Sequence, residues 1–419
     1  MNTLKKYIKV YQVVILVLIT IVYLGTVMCN SFKAEKKQAI VHPNGKLFAG
    51  SATCKNCHRD IFESHQYTAH FLTSVIADVT TIKGNFSEGK NVFRLNDRLT
   101  IRMERTPDSL FQVGFVDGKE AMRQPFNIVI GSGRKGQTYL YWYHNNLFQL
   151  PVSYYTPLNS WCNSPGYSTT QILFNRNIPG RCLECHGTYF KNTIASDGIE
   201  EYDKSKIIYG VDCERCHGPA ADHVAWQLNN PQEKKAKYII NPASLSRQLK
   251  LDNCALCHSG LRKNSKPSFA FVVGDKLDDF SAPDYNVNNT AKLDVHGNQY
   301  GLLTASKCFK MSKMDCSSCH NVHVKETNNA QVFSQRCMSC HNSANHNFCT
   351  QPLTKGLVLQ NNCIDCHMPA LPSNKIFLAV EDKSKSTSDL VRTHLIAIYK
   401  EQTKNYLNKI NKDKSLAKE

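Results

Sequence analysis

Residues 213–217 read CERCH, and residues 218–223 continue GPAADH. The pentapeptide Cys-x-x-Cys-His decides the fold, because the 419-residue chain carries seven copies of it: Cys54/Cys57/His58, Cys182/Cys185/His186, Cys213/Cys216/His217, Cys254/Cys257/His258, Cys316/Cys319/His320, Cys337/Cys340/His341 and Cys363/Cys366/His367. These copies absorb most of the 18 cysteines. Chance would supply only about 0.03 such pentapeptides in a chain of this composition. Two cysteines three positions apart reach the two vinyl groups on one porphyrin edge, and the next residue's imidazole comes up beneath the iron. Each motif therefore specifies covalent attachment of one haem c and one axial ligand, so seven haems are expected, with His58, His186, His217, His258, His320, His341 and His367 proximal. A zinc ribbon is the competing reading for Cys316/Cys319 and Cys337/Cys340. The histidine after every pair argues against it.

The sixth iron position separates a carrier from a catalyst. Of the 16 histidines, those outside the motifs are His42, His65, His70, His144, His223, His296, His323, His346 and His394. Nine candidates for seven irons point to two imidazoles on every iron. Methionine is disfavoured, because Met338 lies inside a motif and Met368 adjoins the proximal His367. His223, His323 and His346 follow their own motifs closely enough to reach a neighbouring haem. His394 shares a helical spacing with Val391 and Ile398 and is expected to point inward from a final helix running from Ser388 to about Ile410. His144 falls at an expected hairpin tip and reads as a surface residue. His42, in a linker, is left open.

Around the motifs the chain changes character. Lys5, Lys6 and Lys9 precede an uncharged stretch from Val10 to Phe32, which reads as an export signal or membrane anchor at residues 1–29. Cys29 stands where a lipoprotein cysteine would. A polar linker at 30–50 and a first haem segment at 51–87 follow. Residues 88–175 hold LTIRMER, FQVGF, FNIVI and TYLYWY, whose alternation predicts an antiparallel β insert without haem, with turns at Asp117-Gly118 and His144-Asn145-Asn146. Residues 176–396 carry six motifs in too little chain to bury a core of side chains alone, so the haems are expected to be the core. Residues 397–419 end a helix in a polar tail.

The formal charge is +17. Seven ferric haems, each about −1 through its propionates, would lower this to about +10, so the basic residues are expected to pair with propionates and not with nucleic acid. Gly131, Gly133 and Gly136 spell GxGxxG, but QTYLYWY after them reads as a strand, which a dinucleotide site does not allow. Cys162, Cys308 and Cys349 lie outside the motifs, and an exported protein is expected to pair Cys308 with Cys349, which flank the fifth and sixth motifs.

Several of these segments resemble the multihaem c-type cytochromes of the cytochrome c-five-five-four family. GSATCKNCHRDIFESHQYTAH is similar to that family's opening, in which a Trp-x-x-Ser-x-His element follows the first motif. The resemblance gives His70 a ligand role, while His65 replaces the family's Trp and keeps an open role. GVDCERCHGPAADHV resembles its Cys-x-x-Cys-His-Gly-Pro element with a downstream ligand, here His223. DVHGNQY and MDCSSCHNVH resemble stretches in larger relatives, supporting His296 and His323. The fold class implied is a mostly helical and irregular multihaem cytochrome c with a β-rich insert, its haems in close stacked pairs.

The expected function is electron transfer between redox partners outside the cytoplasm, periplasmic or at the cell surface. The partners would be other redox proteins or a membrane quinol-linked complex, and no catalytic residue is assigned. Two alternatives stand beside it. One is a multihaem oxidoreductase with one open haem acting on a small nitrogen or sulfur oxyanion. The other is a docking or sensor protein that uses the β insert.

Overall fold

The computed structural model describes residues 39–416 except 169, 196–197, 286–288, 290–292, 328, 346–347, 350–358, 360 and 380–386, together with residues 15 and 17–20. Met1–Ala39 and Ile40–Glu419 form two compact units. In the first, the described residues are helical and exposed. Most of the expected leader, with Cys29, lies outside the described residues, as does His346. Among the described residues no helix is long and apolar enough to cross a membrane.

The β-rich part is two antiparallel sheets. β2 (Val92–Arg94), β3 (Leu99–Arg105), β4 (Leu110–Val116) and β5 (Lys119–Pro125) form a meander in sequence order. Its alternation works as read: Ile101 and Met103 of β3 are buried while Arg102 is exposed. The β4–β5 turn falls at Asp117-Gly118, both with positive φ (50° and 76°), the geometry that makes Asp-Gly a hairpin dipeptide.

The second sheet has seven strands and draws on both sides of the expected insert. β1 (Ser74–Ile76) comes from the first haem segment and pairs with β6 (Ile128–Ile130), which pairs in turn with β7 (Gly136–Tyr143). β8 (Asn146–Gln149), β9 (Val152–Tyr155), β10 (Ser160–Asn163) and β11 (Arg176–Asn177) complete it. The Gly131–Gly136 segment is the β6–β7 turn. Gly131 has φ 101°, and a Cβ on Gly136 would stand 2.6 Å from the Tyr154 carbonyl oxygen, so the glycines serve close strand approach.

Because side chains alternate along a strand, β6 and β7 feed two cores. Val129, Tyr139 and Tyr141 pack with Ile101, Met103 and Trp161 on one face. Ile128, Ile130 and Leu140 pack on the other with Leu183, Tyr189, Phe190 and Tyr202. Leu183 lies inside the second motif, and the remaining residues come from the hairpin of β12 (Gly187–Ile194) and β13 (Glu200–Tyr209). The sheet thus anchors the second motif directly. Ile40 and Phe48 join the same core and His42 is buried, so this part of the expected polar linker is anchored on the fold, while Val41 and residues 43–47 are exposed. The apolar side chains of Ile40 and Phe48, and the bridge between Val41 and Leu47, account for the difference.

The motif-rich remainder is short helices, single turns and small hairpins, among them the pair of β14 (Arg262–Asn264) and β15 (Ser281–Pro283). Beyond residue 300 the buried hydrophobic side chains among the described residues are only Leu302, Phe309, Leu378 and Ile410. The C-terminus differs from the expectation of one helix from Ser388. Thr387–Arg392 is strand β17, paired with β16 (Ala370–Leu378), and the helix begins at Lys400. Thr387, Val391 and Thr393 favour extended backbone, and Thr393 N–H bonds to the Pro369 carbonyl, so tertiary pairing overrides the three- and four-residue spacing. His394 therefore sits in an irregular segment between strand and helix.

Candidate functional site

Each motif sits on a tight helical turn, which brings residues i, i+3 and i+4 to one side. The His58, His320 and His341 amides each donate to the carbonyl of their own first cysteine at 2.9 Å. Local polar residues start these turns. Asp212 accepts from Cys213 N–H at 2.7 Å, Asp315 accepts from the Ser317 and Ser318 amides, and Ser246 caps the helix Arg247–His258 that ends in the fourth motif.

Histidines from elsewhere in the chain stand opposite three of the proximal imidazoles. The ring centres of His217 and His323 are 6.2 Å apart with planes 17° from parallel. Those of His320 and His394 are 6.2 Å apart at 25°, and those of His258 and His70 6.1 Å apart at 72°. Two metal–imidazole bonds of about 2.0–2.1 Å, with about 1.1 Å from each nitrogen to its ring centre, make about 6.3 Å, so each gap has room for one iron. Two further candidates lie near proximal rings. His296 is within electrostatic reach of His186, and His223, with His58, is within reach of His217.

The protonation states suit metal ligands. Burial, with neighbouring imidazoles adding to it, pushes His70, His186 and His394 down to about 4, so these rings are neutral at pH 7. Backbone carbonyls take the Nδ1–H of His217 (Ile240, 2.9 Å), His223 (Lys237, 2.9 Å) and His367 (Ala397, 3.0 Å). A carbonyl at Nδ1 fixes the tautomer and leaves the Nε2 lone pair for a metal.

Three histidines are arranged otherwise. His42 is buried beside Phe48 and Tyr189, and its Nδ1 accepts the Asn44 N–H at 3.1 Å, which places the proton on Nε2 and closes that atom to iron. His65 is buried with Nε2 facing the Val211 carbonyl at 3.1 Å and Nδ1 facing that of Val322 at 3.3 Å. Neither alternative offers a free ligand nitrogen. His144 occupies the two-residue β7–β8 turn, exposed and packed edge-on to Tyr143.

Sulfur contacts give the order of the motifs in space, which sequence spacing does not carry. The sulfur atoms of Cys54 and Cys213, Cys185 and Cys257, Cys254 and Cys316, and Cys337 and Cys363 are close neighbours. Cys254 is also within electrostatic reach of Cys216 in the third motif. Arg336, before the sixth motif, donates to the carbonyl of Cys319 in the fifth at 2.7 Å. First therefore neighbours third, second, third and fifth neighbour fourth, sixth neighbours fifth, and seventh neighbours sixth.

The two cysteines of the first motif differ in exposure. Cys57 is exposed, whereas Cys54 of the same motif is half-buried against Cys213. The reason is local. The first motif straddles two short helices, Ser51–Cys54 and Arg59–His65, and Cys57 falls in the turn between them, where residues 55–60 are all exposed. Cys182 and Cys340 are exposed in the same way.

None of the described cysteines forms a disulfide. The expected Cys308–Cys349 disulfide is not formed; Cys308 lies near Cys319 and Cys337, and Cys349 near Cys366. Among the described residues no group of three or more His, Cys, Asp or Glu is arranged to hold a single metal ion.

Two buried donors fit the haem reading. Arg215 Nε and Trp226 Nε1 have no hydrogen-bond partner, and a buried donor without one is costly unless an acceptor such as a haem propionate meets it. Sequence reasoning overlooked Glu214, inside the third motif. Its carboxylate accepts the Ala49, Gly50 and Ala220 amides, each at 2.8 Å, and so ties the approach to the first motif onto the third.

Residues 168–218 match the family model described as cytochrome c554 and c-prime, a segment that holds the second and third motifs. Among solved structures the chain is similar to the outer cell wall cytochrome OcwA, at 17% identity and a TM-score of 0.48, covering 85% of this chain and 81% of that one. No curated protein matches it. The resemblance in sequence is thus confined to residues 168–218, around the second and third motifs.

Proposed function

We propose that the protein is a multihaem c-type cytochrome that transfers electrons between redox partners outside the cytoplasm, with one haem c attached at each of the seven motifs. The observation that carries this reading is the trio of imidazole pairs, His217–His323, His320–His394 and His258–His70, each separated by the span of one iron. Haem supplies a one-electron couple whose potential is set by its axial ligands and surroundings. The chain's part is to hold the ligands, exclude water and bring the carriers close together. His223 is the partner of His58 and His296 that of His186 in this reading. The scarcity of buried side chains beyond residue 300 supports haems as the core of that region.

The contiguity of the motifs supports a conducting path. It runs from first to third to fourth to fifth to sixth to seventh, with the second branching from the fourth. The apolar stretch behind three lysines at the N-terminus supports export to the periplasm or cell surface with a membrane tether. Partners would be redox proteins or a quinol-linked membrane complex, met through surface charge left over after propionate pairing.

The test is the haem content of the purified protein by intact mass, with a reductive titration followed optically. Seven covalent haems that reduce and reoxidise without loss are expected. A mass lacking haem at several motifs would refute the reading.

A further inference from the structure

We infer that Asp389 is a positioning residue for His296, the proposed sixth ligand of the haem at Cys182–His186, and that through it the β-rich part of the chain lowers that haem's potential. The inference rests on the haem ligation proposed above. It gives the Gly131–Gly136 turn, which the sequence marks only by its glycines, a part in that ligation.

Asp389 lies on β17 with its side chain 4 % exposed. A buried carboxylate is costly unless charge and hydrogen bonds meet it. Two groups of the β-rich part do so on one oxygen. Tyr155 of β9 donates to Oδ1 at 2.8 Å, and Lys135 of the β6–β7 turn donates to the same atom at 3.1 Å. The other oxygen, Oδ2, stands at ion-pair distance, 3.7 Å, from Nδ1 of His296. The backbone of His296 is fixed from β16. Asp294 accepts the His296 amide at 2.8 Å and the Ser373 hydroxyl at 2.8 Å. The β16–β17 pair is itself seated on the β-rich part. Asn163 accepts the Ala379 amide at 2.6 Å, Leu378 packs with Tyr155 and Cys162, and Lys135 also donates to the Leu390 carbonyl.

The proximal side of the same motif is reached from the same turn. Gly131 N–H donates to the Thr73 carbonyl at 2.7 Å, and the Thr73 hydroxyl stands 3.2 Å from Nδ1 of His186. One turn therefore governs the outer nitrogen of both imidazoles, through a neutral hydroxyl at His186 and through a carboxylate at His296. The two are not equal. A carboxylate set against Nδ1–H orients the ring, fixes its tautomer and makes Nε2 the stronger donor, which favours ferric over ferrous iron. Tyr155 and Lys135 moderate that pull, because each draws on the same carboxylate. The second motif branches from the fourth in the proposed path, so this one potential governs how readily electrons enter the branch.

The experiment uses the full-length holoprotein, with haem number from intact mass, potentials from an optically followed redox titration, and ligand fields from electron paramagnetic resonance. Asp389→Asn keeps the shape and removes the charge. Seven attached haems are expected, one of them shifted to higher potential with an altered low-spin signal and the other six unmoved. Tyr155→Phe frees the carboxylate from one donor and should move the same haem the opposite way, to lower potential. General loosening of the hairpin would move both variants in one direction, and that result would overturn the inference. So would seven unmoved potentials in Asp389→Asn, or loss of a haem from it, either of which leaves the electron-transfer reading in place. A shift that persists when Asp389→Asn is placed on His296→Met would also overturn it, since the effect would not run through that imidazole. Fewer than seven haems in the parent protein would overturn the reading and the inference together.

Discussion

The imidazole of His323 stacks 6.2 Å from that of His217, its plane 17° from parallel, although His323 lies three residues beyond the proximal histidine of a different motif, His320. A short excursion after one motif thus serves another. In the proposed ligation this would tie neighbouring motifs together mechanically, because moving the fifth motif would move the sixth ligand of the third.

Removing that ring is the direct check of the pairing: His323→Ala is expected to leave the number of covalent haems unchanged, because thioether attachment depends on Cys213 and Cys216. It should add one high-spin ferric haem over the unsubstituted protein in electron paramagnetic resonance. His323→Met should instead keep that haem low-spin and raise its potential, within the span of roughly 0.8 V that axial ligands command. An unchanged spin count in the alanine variant would mean that His323 does not face iron.

Glu214 supports a stability prediction. Its carboxylate accepts three backbone amides from two parts of the chain, and Glu214→Ala would leave Ala49, Gly50 and Ala220 without that acceptor. Buried donors left unpaired cost about 1–3 kcal/mol each, and partial rehydration at this half-open site brings the expected loss to about 3 kcal/mol. Thermal unfolding of the holoprotein measures it, with haem content checked first. A melting temperature unchanged from the parent would show that the first and third motifs are held together without this carboxylate.

Much of the architecture was legible because it is local chemistry. A Cys-x-x-Cys-His spacing states attachment within five residues, and Asp117-Gly118 states a hairpin within two. The same spacing says nothing of enclosure, which is why Cys57 reads like every other motif cysteine yet stands exposed in a turn between two short helices. The histidines outside the motifs were legible only as a pool, since the ring that stands 6.1 Å from His258 is that of His70, far away in sequence, and no local pattern encodes that meeting. His394 points the same way. Its spacing from Val391 and Ile398 reads as a helix face, but pairing of Thr387–Arg392 with Ala370–Leu378 wins, and the histidine reaches His320 from an irregular segment. The role of His42 and His65 turned on which nitrogen meets which backbone group, a matter of a few tenths of an ångström that composition does not carry.

The Glu326–Arg336 pair gives a pH dependence with a defined sign. Arg336 donates to both Glu326 carboxylate oxygens and also to the Cys319 carbonyl, and Glu326 accepts the Asn321 amide at 3.0 Å. The Arg336 hydrogen bonds hold the carboxyl below its usual range, with burial opposing them. A depressed folded pKa means stability that is complete above the ordinary glutamate value and is lost as pH falls through the folded value. Glu326→Gln should therefore cost about 1–3 kcal/mol at pH 7 and progressively less as the pH is lowered below about 4. Urea unfolding at several pH values reads the convergence, and a difference that stays constant into acid would exclude this carboxylate as its source.

The cysteines outside the motifs should separate by reactivity. Cys162 is buried in the β-rich part against Tyr155 and Leu378, and burial pushes its thiol up to about 12. The thiolate is the reacting species, so at pH 8 this residue is both inaccessible and protonated. Cys349 is exposed and Cys308 half-buried, and neither forms a disulfide. Treating the native holoprotein with iodoacetamide at pH 8 and mapping the products by mass spectrometry should show Cys349 modified first, Cys308 more slowly, and Cys162 only after denaturation. Motif cysteines, held as thioethers, should not react at all. Exposed Cys57 is the most stringent of these, because only a thioether bond would protect it. Alkylation at Cys57 or another motif cysteine would identify a turn to which haem is not attached, and protection of both Cys308 and Cys349 that reductant removes would restore the disulfide between them.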